Sequence, residues 1–151
     1  MDFITSIKTG FRKYVDFNGR ASRSEYWWWQ LFLFIFTSIL YTLSWAIYFI
    51  VAFTGSILEI SIPALTVFIT ICVYAIGFVL TIIEYTIPLV FLLPSLAVLV
   101  RRLHDAGYNG WWALLIKILY LFCFTGLIVE IVFACLQSVP EENEYGPVPV
   151  E

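Results

Sequence analysis

Charge is scarce in this chain. Only 13% of its 151 residues are Asp, Glu, Lys or Arg, about half the usual soluble fraction of roughly 25%. There is one histidine, His104, so a His-rich metal site is excluded. The three cysteines, Cys72, Cys123 and Cys135, form no C-x-x-C pair and all fall in apolar stretches. They are expected as small buried hydrophobes, not as metal ligands or disulfides. The chain also lacks H-E-x-x-H, the nucleophile elbow G-x-S-x-G and a P-loop, which leaves no standard hydrolase or nucleotide site. Neither a metal nor a cofactor is implied.

What fills the space is apolar. The chain is 62% hydrophobic and 19% aromatic, with six Trp and nine Tyr. A soluble core of this size has no room for that much apolar surface. Trp and Tyr favour the boundary between membrane and water, where the ring is buried and the polar tip stays wet. The net charge of −3 hides an asymmetry. Lys8, Arg12, Lys13, Arg20 and Arg23 precede the first apolar run, whereas Glu141, Glu142, Glu144 and Glu151 follow the last. That distribution is a topology signal and argues against nucleic-acid binding, which needs a basic face on a soluble fold.

Apolar residues at Phe3, Ile4, Ile7, Phe11, Tyr14 and Val15 recur at helical spacing over residues 2–17, predicting an amphipathic helix. It lies either in the cytoplasmic interface, with its cations among anionic headgroups, or docked on the protein's own spans. Asn18-Gly19 marks a turn. Ser22 to Glu25 match a capping box, and Trp27, Trp28 and Trp29 follow as an aromatic belt. The apolar segments are 26–53, 62–83, 86–100 and 111–136. Thr54–Ser61 reads as a loop carrying Glu59. The run at 26–53 is too long for a cleavable signal peptide, and no small-residue cleavage site follows it. Lys117 and Glu130 fall near the two ends of the last segment, where both can snorkel. Residues 137–151 form an acidic, proline-containing tail with little expected structure.

These segments predict an all-α integral membrane protein: a small polytopic bundle, residues 1–136, with an N-terminal amphipathic helix. Hydropathy favours four segments. The positive-inside rule favours three crossings, because four would put Arg101 and Arg102 opposite the basic N-terminus. Three crossings require 62–100 to be one element, bent at Pro88 and Pro94.

Two motifs stand at segment boundaries. The first runs from Phe17 to Trp27 (FNGRASRSEYW). The second comprises Leu93 to Ala97 (LPSLA), Arg101 to Asp105 (RRLHD) and Gly110-Trp111-Trp112, and a closing motif holds Asn143 to Pro147 and Pro149. Together and in this order they resemble a bacterial membrane family known as domain of unknown function 805. The resemblance covers most of the chain. It departs at Asn109, where a serine usually precedes Gly-Trp-Trp, and in an additional apolar stretch near Ile62–Val79. It implies an integral inner-membrane protein and no particular reaction, ligand or cofactor.

In the polar knot of residues 101–112, Arg101 and Arg102 lie four and three residues before Asp105, within reach on a helix. Gly107 suits the left-handed residue that ends such a helix. One reading makes the knot a stiff turn in which Asp105 neutralises the arginines and Trp111 and Trp112 set its depth. The sharper one gathers Arg20, Arg23, Arg101 and Arg102 on one face, with Glu25, His104, Asp105, Trp111 and Trp112, as a site for anionic headgroups. Glu25 either completes its capping box or pairs with Arg101 or Arg102. Glu84 is the deepest acid by sequence, a candidate relay for protons or cations or an interfacial residue between short segments. The expected function is a non-enzymatic scaffold or accessory module that binds membrane lipids or a membrane-protein partner, including a second copy of itself. The alternatives are a small transporter or channel subunit using Glu84 and, less favoured, an enzyme modifying lipid headgroups through His104. The expected location is the bacterial inner membrane, multi-pass, with a cytoplasmic N-terminus.

Overall fold

A computed structural model of the chain describes residues 1–61, 63–120 and 125–149, without the side chains of 57–61 and 63–66. The described residues form five α-helices: α1 (Phe3–Arg12), α2 (Arg23–Ser61), α3 (Pro63–Asp105), α4 (Trp111–Leu119) and α5 (Thr125–Cys135). At 1.5 Å per residue the 39 residues of α2 and the 43 of α3 extend about 58 and 64 Å. Both are long and apolar enough to cross a membrane. Cys123 lies outside the described residues. Cys72 is half-buried and Cys135 is exposed, so neither is the fully buried hydrophobe that was expected.

Helix α1 is shorter than the expected 2–17. Asp2 caps it by accepting the Thr5 amide at 3.2 Å, and its hydrogen bonds to Thr5 hold the Asp2 carboxyl below its ordinary pKa. The face it buries is not the apolar stripe. Ser6, Thr9 and Gly10 are buried, while Ile4 and Phe11 stay exposed. Small residues let α1 approach closely: a Cβ on Gly10 would stand 2.4 Å from the Trp29 ring. Gly10 therefore gains in packing what it costs in helix propensity. Phe3 meets Trp28 edge-on at 5.7 Å, and Phe11 meets Trp29 at 5.5 Å. The helix docks on the protein and still presents apolar side chains outward.

The predicted loop at Thr54–Ser61 is helical, a continuation of α2. Nothing in that stretch stops a helix until Pro63, whose missing N–H and fixed φ suit the first position of α3. A break at Glu84 is absent, and 63–83 and 86–100 belong to one helix that carries Pro88 and Pro94 within it, as the single-element alternative required.

The chain forms two compact units, Met1–Leu33 with Phe91–Glu151, and Phe34–Val90. The second is an antiparallel pairing of the α2 and α3 portions. Gly77 lies against the Tyr48 ring, whose hydroxyl is 3.4 Å from Thr81 Oγ1. Its outer surface is large and apolar, including Trp45, Phe49, Phe68 and Tyr74. Surface of that kind suits acyl chains rather than water. The first unit has a core of Tyr26, Trp29, Val98, Leu99, Leu103, Ala113, Ile116 and Ala134. Trp29 is thus a core residue whose Nε1 donates to Ser95 at 3.2 Å, and only Trp27 and Trp28 of the triplet are exposed.

The segment 111–136 does not form the single long helix that its hydropathy suggests. Helices α4 and α5, about 14 and 16 Å long, pack on each other. Neither alone covers a hydrocarbon core of about 30 Å. Both ends of the segment return to the end of α3. Gly110 abuts Val100 and His104, and the carbonyls of Ala134 and Leu136 accept from Arg102.

Candidate functional site

The site is the C-terminal end of α3 and what gathers on it. Successive helical residues point about 100° apart, so Arg101 and Arg102 serve different neighbours. Both are fully buried, as is Asp105. Arg102 pairs with Asp105 one turn on and also donates from Nε to the Ala134 carbonyl at 3.2 Å. Arg20 reaches the same carboxylate from the first motif, with its Nε 3.0 Å from Oδ1. The Ser138 hydroxyl donates to the other oxygen. Asp105 is thereby the shared counter-ion of two buried arginines.

Arg101 turns to the opposite side. Its Nη2 lies 3.1 Å from Glu25 Oε1, and its Nη1 donates to the carbonyls of Asp16 at 2.8 Å and Lys13 at 3.3 Å. Its Nε has no partner among the described residues. The capping box is half formed: Ser22 Oγ accepts the Glu25 amide at 3.2 Å, while the Glu25 carboxylate goes to Arg101. Gly19 takes φ +86°, which turns the chain so that Arg20 and Ala21 run beside α3, where the Ala21 amide donates to the Arg101 carbonyl at 3.0 Å. The two motifs face each other by direct ion pairs.

The end of α3 follows its sequence. Gly107 has φ +80°, and the Tyr108 amide returns to the Leu103 carbonyl at 2.9 Å. Asn109 Oδ1 accepts the Trp111 amide at 3.0 Å, so this Asn keeps the turn and cap that a serine would supply. His104 is 3.2 Å through Nδ1 from the Gly19 carbonyl, and its ring stacks on Tyr145 with centroids 3.8 Å apart.

Not every candidate joins this cluster. Arg23 is exposed, as are Trp111 and Trp112, although Trp112 also packs on Phe133 at 5.6 Å. Glu84 lies in the second unit, beside a crevice of about 10 Å³ lined by Thr37, Tyr41 and Pro88. A cavity needs about 10–15 Å³ by this measure to hold one water, so the crevice has room for about one. No hydrogen bond reaches the Glu84 carboxylate among the described residues.

Two features escaped the sequence reading. The tail is docked, not loose. Arg20 donates to the carbonyls of Val139 at 2.6 Å and Glu141 at 2.8 Å, the Val139 amide donates to the Asp105 carbonyl at 2.9 Å, and Asn143 Nδ2 donates to the His104 carbonyl at 3.0 Å. The regular closing motif was the available signal, since a loose tail has no need of one. The second feature is Glu130, expected at a far membrane boundary. It is buried and accepts from Tyr26 at 2.7 Å, Tyr120 at 2.8 Å and Lys117 at 2.9 Å. Opposite charges 13 residues apart within one apolar run were its signal. Among the described residues no group of His, Cys, Asp and Glu converges to hold a metal ion.

The geometry can be set beside known proteins. Over 138 residues the chain is 37% identical to inner membrane protein YhaH of Escherichia coli (strain K12), covering 91% of this chain and 90% of that one. It is 30% identical to inner membrane protein YhaI of the same strain, covering 91% and 89%. No solved structure gives a significant match. Residues 14–147 match the family model described as "Protein of unknown function (DUF805)". That span begins before Arg20 and runs into the docked tail motif as far as Pro147, so the interlocked cluster lies within the matched region, and the chain belongs to the DUF805 family.

Proposed function

We propose that this protein is a non-enzymatic module of the bacterial inner membrane, whose basic, cytoplasmic end binds anionic lipid headgroups. One observation carries this reading: the cations divide into two sets. Arg20, Arg101 and Arg102 are buried against Asp105, Glu25 and backbone carbonyls, and they hold the fold. Lys8, Arg12 and Arg23 are exposed. Lys8 and Arg12 share a face of α1 at i, i+4 spacing. The N-terminal amine meets Ser24 at 2.9 Å, which brings the start of α1 to Arg23 and the exposed Trp27 and Trp28. Exposed cations beside interfacial tryptophans suit a headgroup layer. The headgroup contacts therefore move from the buried arginines to these three. A headgroup-modifying enzyme that used the same arginines beside His104 finds the arginines already engaged.

Each cation near an anionic surface contributes about 1 kcal/mol. Phosphatidylglycerol added to the detergent-purified protein should raise its Tm more than phosphatidylcholine does. The triple variant Lys8→Gln, Arg12→Gln, Arg23→Gln should lose most of that difference. An undiminished difference would reject the assignment.

The same reading makes α2 and α3 the two crossings and the α4–α5 hairpin a membrane-embedded return. Both termini then lie on the cytoplasmic side. A reporter fused after Glu151 should read cytoplasmic, and a periplasmic signal would restore a third crossing.

A further inference from the structure

A cleft of about 480 Å³ opens in the first unit between the end of α3 and the start of α4. Its wall is apolar, formed by Phe17, Leu96, Val100 and Leu114, with Trp111 at the rim. The rim continues into the exposed apolar face of α4, where Leu114, Leu115 and Ile118 are all open. Sites of this volume with few polar groups bind small amphipathic molecules. The polar side-chain groups at the end of this cleft are His104 and Asn109, and the indole N–H of the exposed Trp111 is a further donor at its rim.

Their hydrogen bonds define what they can still offer. His104 Nδ1 faces the Gly19 carbonyl and so carries the proton in the neutral ring, which leaves Nε2 as an acceptor. Nε2 stands beside Gly110, 3.0 Å from where a Cβ would be, and a side chain there would cover it. Asn109 Oδ1 is taken by the Trp111 amide, which leaves the Nδ2 hydrogens as donors. Among the described residues neither Nε2 nor Nδ2 carries a hydrogen bond. One acceptor and one donor at the end of an apolar cleft are the complement of a hydroxyl, which both donates and accepts.

The geometry points to a binding site for a neutral single-chain lipid with a free glycerol hydroxyl, of the monoacylglycerol class. Its acyl chain lies in the cleft and its hydroxyl bridges His104 and Asn109. The site is separate from the exposed cations assigned to anionic headgroups, and it does not depend on them.

Native mass spectrometry of the full-length protein in detergent tests this with 1-monooleoylglycerol and methyl oleate. The two share the acyl chain, and only the first has hydroxyls. The expected result is one monooleoylglycerol per chain, bound about 5- to 100-fold more tightly than the ester, as two hydrogen bonds imply. Leu114→Trp, which fills the cleft from an exposed position, should abolish that adduct. His104→Phe keeps a ring against Tyr145 and should bring the two affinities together. The triple glutamine variant at Lys8, Arg12 and Arg23 should bind monooleoylglycerol as before, so failure of the headgroup reading and failure of this one are distinguishable. Equal affinity for the two lipids, or an adduct that survives Leu114→Trp, would overturn the proposal.

Discussion

Asp105→Ala should release the C-terminal segment from the end of α3 and destabilise the protein by about 3–5 kcal/mol, the cost of leaving a buried charge without its partner. Two arginines are stranded at once. Arg20 and Arg102 both rely on this carboxylate, and the side chains of all three are at most 1% exposed. Neither arginine can reach solvent without moving its element. Arg20 also holds the carbonyls of Val139 and Glu141, so its displacement frees the tail. Thermal unfolding in detergent reads the stability, and cleavage by a glutamate-specific protease at Glu141, Glu142 and Glu144 reads the tail. Both should change together. Ser138→Ala, which removes only a hydroxyl from the same carboxylate, should cost about 1 kcal/mol. A loss for Asp105→Ala no greater than that for Ser138→Ala would mean that water reaches the arginines.

This cluster shows how far the sequence alone could lead. The i, i+3 spacing of Arg102 and Asp105 and the glycine at position 107 follow from helix geometry, and both are as expected. The bond from Arg20 to Asp105 spans 85 residues, and no local pattern encodes it. What the sequence carried was a likeness of content: arginines, an acid and tryptophans at two segment boundaries. It could not say that Glu25 would choose Arg101 over its own capping box, because both options are locally sound. The choice depends on α2 and α3 lying side by side. Hydropathy also misled in definite ways. It averages over a window, so it saw 111–136 as one apolar run and missed that the run folds on itself. It divided 62–100 at Glu84, although a single carboxylate in a strong helix former's position does not break a helix. Gly10 costs α1 some helix propensity, yet it is the point where α1 meets Trp29.

Glu130→Ala should separate the two descriptions of 111–136. On a straight helix Lys117 and Glu130 would stand about 20 Å apart, too far to interact. Across the α4–α5 hairpin they form an ion pair of 2.9 Å. The carboxylate has further donors in Tyr26 and Tyr120, and Gln30 approaches it at 3.5 Å. Lys117 and Tyr120 are partly exposed and can turn outward when it is removed, but Tyr26 is buried in the core. Its stranded hydroxyl should cost about 1–3 kcal/mol, and the lost volume adds to that. Glu130→Gln keeps an acceptor for Tyr26 and removes only the negative charge that faces Lys117, so it should cost less, at most about 1 kcal/mol for a pair whose lysine is 30% exposed. The decisive measurement is a double-mutant cycle of Lys117→Met with Glu130→Gln. A hairpin predicts that the second substitution costs less once the first is made. Strict additivity would return 111–136 to a single crossing, and with it the C-terminal tail to the far side of the membrane, away from Arg20 and Asp105.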